Sequence, residues 1–215
     1  MAKTLSESIG IDTKEDLSKA IEIWDNKYKI KFFSKLIFFK ILRWKISGNR
    51  NFAKNSVKKA VIIIAPHTSW HDFYVAVLAR SVTNIKSKFI AKKELFFFPI
   101  NIILKMLGGV PVDRSSKQNK VDQIADMFLE KDEFRVALSP EGTRQRVEKF
   151  KTGFYYIAKK ANVPIIMFTL NFKSKEILIS NPFYTTNDMK ADFNFIESFF
   201  DGVEGKVKEL SFYKI

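Results

Sequence analysis

Along residues 60–65 the chain runs Ala-Val-Ile-Ile-Ile-Ala without a polar interruption. A β-branched run of that length fits a strand covered on both faces, because neither of its two alternating side-chain rows calls for water. Shorter apolar runs at 88–91, 109–112, 134–138, 163–172 and 176–179 read as further strands. Between them the period changes. Over 116–131, Val121, Ile124, Ala125, Phe128 and Leu129 fall on one helical face. Further helices are predicted from Thr68 or Ser69, either of which suits an N-cap, through Arg80, and over 152–160 and 188–200. Residues 94–107 form an apolar helical patch broken by Pro99, and a polar helical lead-in occupies 14–28. A loop rich in Asn, Lys and Gly covers 47–58. Strands alternating with helices predict an α/β fold with a mostly parallel central sheet flanked by helices. Ligands of such sheets bind at the loops leaving the carboxyl ends of the strands.

Residues 30–44 depart from this pattern. Lys31, Lys35, Lys40 and Arg43 are threaded among Phe32, Phe33, Leu36, Ile37, Phe38, Phe39, Ile41 and Leu42. Such a mixture suits an amphipathic helix lying in a membrane surface, its lysine stems snorkelling toward anionic headgroups. A core-packing helix with solvated lysines is the alternative. No stretch reaches the roughly 18 to 20 apolar residues of a spanning helix. The predicted organisation is an N-terminal helical membrane-associating segment over 1–58 and an α/β domain over 59–215. Residues 1–16 mix Ser, Lys, Glu and Asp without an apolar run, which reads as neither a secretory signal nor a transit peptide. The expected location is the cytoplasmic face of the membrane, with peripheral or monotopic attachment.

Charge and composition narrow the chemistry further. Lys and Arg number 37 against 23 Asp and Glu, a net charge of +14. That balance favours phosphate-bearing partners: nucleic acid, anionic lipid or a phosphorylated cofactor. The absence of cysteine excludes disulfides, Cys-ligated zinc and thiol catalysis.

The only two histidines, His67 and His71, fall in Pro66-His67-Thr68-Ser69-Trp70-His71-Asp72. Positions five apart differ by about 140° on an ideal helix, so His67 and Asp72 cannot share one helical face. They meet if His67 lies in the turn before a helix and Asp72 in its first turns. Asp72 then fixes the imidazole tautomer and leaves the other ring nitrogen free to take a proton. His71 is left to substrate contact or packing, because neighbouring helical side chains diverge.

His67 and Asp72 form the HX4D signature of glycerolipid acyltransferases, and three later blocks agree with it. Gly109-Val110-Pro111-Val112-Asp113-Arg114, Pro140-Glu141-Gly142-Thr143-Arg144 and Val163-Pro164-Ile165-Ile166 follow in register. The chain resembles the lysophosphatidic acid acyltransferase family, the 1-acyl-sn-glycerol-3-phosphate acyltransferases. The resemblance implies acyl transfer from an acyl-CoA or acyl-ACP thioester to a lysophospholipid hydroxyl at a membrane surface. His67 would be the base and Asp72 its orienter, and Glu141, Gly142 and Arg144 would hold the acceptor's polar head. Arg114, Thr143 and Lys151 join them as candidate acceptor-binding residues. Neither a cofactor nor a metal is expected, and 59–215 becomes the acyltransferase domain. Pro66, where many members carry Asn, and Met167, where a second proline is common, leave open which lipid hydroxyl is acylated.

Two other functions compete. A His-Asp pair acting on water would make a thioesterase, but no Gly-x-Ser-x-Gly elbow occurs and the two histidines lack the zincin arrangement. A nucleic-acid module would explain +14 and 14% aromatics. The basic aromatic residues concentrate at 30–44 among Leu and Ile, which suit lipid better than base stacking, so no nucleic-acid partner is expected.

Overall fold

The computed structural model describes residues 31–52, 57–98, 100–112 and 120–214. Seven strands form one sheet in the order β1-β7-β6-β2-β5-β3-β4. They are β1 (Lys45–Gly48), β2 (Lys59–Ala65), β3 (Lys88–Lys92), β4 (Gly109–Val112), β5 (Phe134–Leu138), β6 (Ile165–Thr169) and β7 (Glu176–Ile179). The β1/β7, β6/β2, β2/β5, β5/β3 and β3/β4 pairs are parallel, and β6/β7 is antiparallel. The sheet is therefore mostly parallel, as the alternation of strand and helix patterns predicts.

Pleating sends alternate side chains of β2 to opposite faces. Val61, Ile63 and Ala65 enter one core with residues of α3 (Lys120–Leu129), α4 (Gly153–Ala161) and α5 (Met189–Phe200). Ala60 and Ile62 enter the other, with Val75 and Ala79 of α1 (His71–Thr83) and with Phe38, Trp44 and Phe52. Helices thus cover both faces, and the uninterrupted apolar run of β2 is buried between them.

Several elements depart from expectation for local reasons. Lys45–Gly48, in a stretch read partly as loop, is an edge strand aligned on Glu176–Ile179, so the sheet begins before residue 59. β6 is shorter than 163–172 because the Val163 amide is drawn to Ala158 O, closing α4, and Asn171 turns the chain into β7. The 94–107 patch divides into a 3₁₀ turn at Lys93–Leu95 and a helix, α2, at Ile100–Met106, while Pro99 lies outside the described residues. Leu129, expected on the apolar face of α3, is its last residue and is exposed. The 14–28 lead-in also lies outside the described residues. Residues 31–41 are helical, ending in a π-helix at Leu36–Ile41 that buries Phe38 and exposes Phe32, Phe33, Leu36, Ile37, Phe39 and Ile41. No helix among the described residues is long and apolar enough to cross a membrane.

Candidate active site

The chain leaves β2 through a cis Ala65–Pro66 peptide and reaches His67 at the carboxyl edge of the sheet. Asp72 is the second residue of α1, and its Oδ2 lies 3.0 Å from His67 Nδ1. The same oxygen accepts the backbone amides of Thr68 at 2.8 Å and Ser69 at 2.9 Å. An ionised carboxylate only accepts, so Nδ1 carries the hydrogen and the Nε2 lone pair is left available. The His67 side chain is 29% exposed and that of Asp72 only 3%, so the base is reachable and its orienter shielded.

This arrangement also explains the start of α1. The N-cap is Trp70, without a side-chain capping bond, and not Thr68 or Ser69. Thr68 Oγ1 is engaged elsewhere, accepting the Val207 amide at 3.1 Å, while Ser69 Oγ accepts the amide of His71, the first residue of α1, at 3.4 Å and lies 2.8 Å from His71 Nδ1. The His71 ring packs on Trp70 and Tyr74, with centroids 4.1 and 5.6 Å apart.

The loop after β5 meets this turn from a neighbouring parallel strand. Glu141 is 1% exposed, and its Oε2 accepts the His67 amide at 2.7 Å and the Ser139 hydroxyl at 3.2 Å. One oxygen of its carboxylate therefore bonds the backbone of the His67 turn. Burial raises its pKa from 4.5 to about 7, with Oε1 buried and unpartnered among the described residues. Gly142 follows at φ +65°, a region costly for side-chain-bearing residues. A Cβ there would sit 2.8 Å from Lys151 Nζ, so the lysine lies across the turn. Thr143 is half-buried and accepts the Gln145 amide on Oγ1 at 3.2 Å, whereas Arg144 and Lys151 are exposed. Arg114 lies outside the described residues.

The raised Glu141 pKa has a thermodynamic consequence. Folded, this carboxyl keeps its proton until about pH 7; unfolded, it releases it near 4.5. Its stabilisation is complete below 4.5 and is lost as pH rises through 7, a change of about 3 kcal/mol. Glu141→Gln keeps an acceptor for the His67 amide but cannot ionise. Urea unfolding at pH 4.5 to 8 is expected to show wild type losing stability relative to this variant as pH rises. Parallel pH profiles would mean that the carboxyl does not titrate in this range.

Contacts from the end of the chain support the same turn. A Cβ on Gly205 would approach Thr68 Oγ1 to 2.7 Å, so only a bare backbone fits there. Gly205 in turn donates its amide to the fully buried Ser211 hydroxyl at 2.9 Å. These residues carry no local sequence signal for a role near His67.

The family described as Acyltransferase matches residues 43–170, more than half of the 215-residue chain. The chain belongs to the acyltransferase family. All four motif blocks lie within the matched region, and the buttress at 205–211 lies beyond it. A chloroplastic 1-acyl-sn-glycerol-3-phosphate acyltransferase, BAT2, from Brassica napus is 30% identical over 146 residues, covering 65% of this acyltransferase and 40% of that protein. The 1-acyl-sn-glycerol-3-phosphate acyltransferase of Escherichia coli (strain K12) is 29% identical over 122 residues, 54% of this chain and 49% of that one. The beta enzyme of Homo sapiens with the same activity in its name is 29% identical over 137 residues, 60% of this chain and 46% of that one. The chain thus spans less than half the length of these relatives. In fold it is similar to the crystal structure of the 1-acyl-sn-glycerophosphate acyltransferase PlsC from Thermotoga maritima. The TM-score is 0.55 at 21% identity, covering 92% of this chain and 84% of that one.

Proposed function

We propose that this acyltransferase moves a fatty acyl group from acyl-CoA or acyl-ACP to the hydroxyl of a lysophospholipid, 1-acyl-sn-glycerol-3-phosphate first among them, in phospholipid biosynthesis. The observation that carries the proposal is the reachable His67 ring held through Nδ1 by the shielded Asp72 carboxylate. The activity named for the Brassica, Escherichia and human relatives supports the acceptor.

The chemistry follows from the free Nε2. It takes the proton from the lipid hydroxyl as that oxygen attacks the thioester carbonyl, and Asp72 stabilises the resulting imidazolium. The tetrahedral intermediate collapses by breaking the carbon–sulfur bond, and the imidazolium returns its proton to the departing thiolate. No covalent acyl-enzyme is needed. Arg144 and Lys151, exposed around the Gly142 turn, supply cationic donors for an acceptor phosphate, with Thr143 beside them and Arg114 as a further candidate. Glu141 acts differently, by holding the His67 amide. The mixture of Phe and Lys at 30–44 attaches the protein peripherally or monotopically to the membrane surface where its lipid acceptor resides.

Steady-state turnover with lysophosphatidate, lysophosphatidylcholine and monoacylglycerol tests the acceptor class. The phosphate monoester is expected to give the highest kcat/KM, and Arg144→Ala to raise its KM by about tenfold or more with kcat little changed. Equal use of monoacylglycerol, or an unchanged KM in the variant, would remove the phosphate-binding role.

A further inference from the structure

The catalytic edge also carries apolar surface that the transfer chemistry does not require. Trp70 is 62% exposed and Phe98 is 78% exposed, and Phe73, Phe97, Ile100 and Ile102 are exposed as well. Topology gathers them on one edge. β2, β5 and β3 are parallel neighbours, so the segment leaving β3 emerges on the same side of the sheet as His67 leaving β2. Packing connects the two groups. The Phe73 ring meets Phe89 edge-on with centroids 5.3 Å apart, and Phe89 and Phe96 both close on Gly109. Trp70 lies one turn before Phe73, and Phe97 and Phe98 follow Phe96. Lys93 and Lys105 are exposed beside this belt, together with Glu94, on a chain of net charge +14.

Exposed Phe and Ile with a tryptophan and flanking lysines match the interfacial zone of an anionic bilayer. An apolar surface of this kind marks an interaction site. We propose that the belt of Trp70, Phe73, Phe97, Phe98, Ile100 and Ile102 is a second bilayer-docking surface, separate from the helix at 31–41. It seats the carboxyl edge of the sheet on the leaflet, so that an acceptor hydroxyl reaches His67 Nε2 without the lipid leaving the surface. This rests on the membrane reading proposed above and adds to it the orientation of the catalytic edge.

The absence of cysteine makes a site-specific test direct. Phe98→Cys, Ile102→Cys, Phe33→Cys and Leu129→Cys, each in the full chain, are labelled with an environment-sensitive fluorophore. They are mixed with phosphatidylglycerol/phosphatidylcholine vesicles with and without a nitroxide-labelled lipid. Leu129 is the control: it is 80% exposed and lies beside Phe128, whose carbonyl is bonded to Lys59 at the opposite edge of the sheet. Labels at 98 and 102 are expected to shift to the blue and be quenched, with the label at 129 unaffected. Phe98→Glu is expected to weaken vesicle binding by at least about tenfold while turnover of a detergent-dispersed acceptor is retained. Quenching at 33 with none at 98 and 102 would overturn the second surface and keep membrane attachment. Absence of vesicle binding by the unlabelled protein would overturn both.

Discussion

Replacing His67 with alanine is expected to lower kcat for acyl transfer by about three to four orders of magnitude, with thermal stability and vesicle binding close to wild type. Alanine keeps the backbone amide that Glu141 Oε2 holds at 2.7 Å, so the turn at the end of β2 retains its anchor. It removes the ring whose Nε2 is the proposed proton acceptor. Asp72 keeps its bonds from the Thr68 and Ser69 amides, so its buried carboxylate is not stranded. The measurement is a steady-state assay beside a melting curve. A loss of activity matched by a large fall in Tm would make His67 a structural residue, and near-normal turnover would remove it as the base.

Asp72→Asn carries the second large effect. The substitution is nearly isosteric but replaces an acceptor-only group by an amide with one donor end. With its oxygen toward the Thr68 and Ser69 amides, that oxygen still accepts Nδ1–H but no longer stabilises the imidazolium. With its nitrogen toward the ring, it favours the tautomer that puts hydrogen on Nε2 and blocks proton uptake. Either orientation is expected to depress kcat, by as much as about 10⁴-fold where the tautomer is wrong. The pH profile separates this from simple unfolding: activity is expected to stay low across the range while the far-ultraviolet spectrum is unchanged. Restoration of normal kcat at high pH would show that Asp72 merely tunes the ring's titration.

The contrast between these two residues and Glu141 shows what local sequence conveys. His67 and Asp72 are five positions apart, and a helix starting at His71 suffices to bring them together, so their meeting follows from short-range geometry. β5 and β7 occupy the residues expected of them because their patterns of apolar side chains match the buried faces they fill. Glu141 lies 74 positions from His67, and a carboxylate in a polar loop reads as surface. Only the parallel pairing of β2 with β5 delivers it beneath the His67 turn, where burial raises its pKa. β1 offers one inward apolar residue, Ile46, and becomes a strand because β7, about 130 residues later in the chain, provides a partner. Gly205 and Ser211 depend likewise on the chain's end folding back onto Thr68. Long-range contacts thus supply the supports of the site, and the reacting pair is local.

Mass spectrometry of the lipids formed from acyl-CoA or acyl-ACP and 1-acyl-sn-glycerol-3-phosphate, by wild type and by His67→Ala, bears most directly on the transfer mechanism. The expected result is a diacyl phosphate product from wild type and essentially none from the variant. Equal diacyl product from both proteins, or release of free fatty acid by wild type without any diacyl product, would contradict His67-assisted transfer to a lipid hydroxyl.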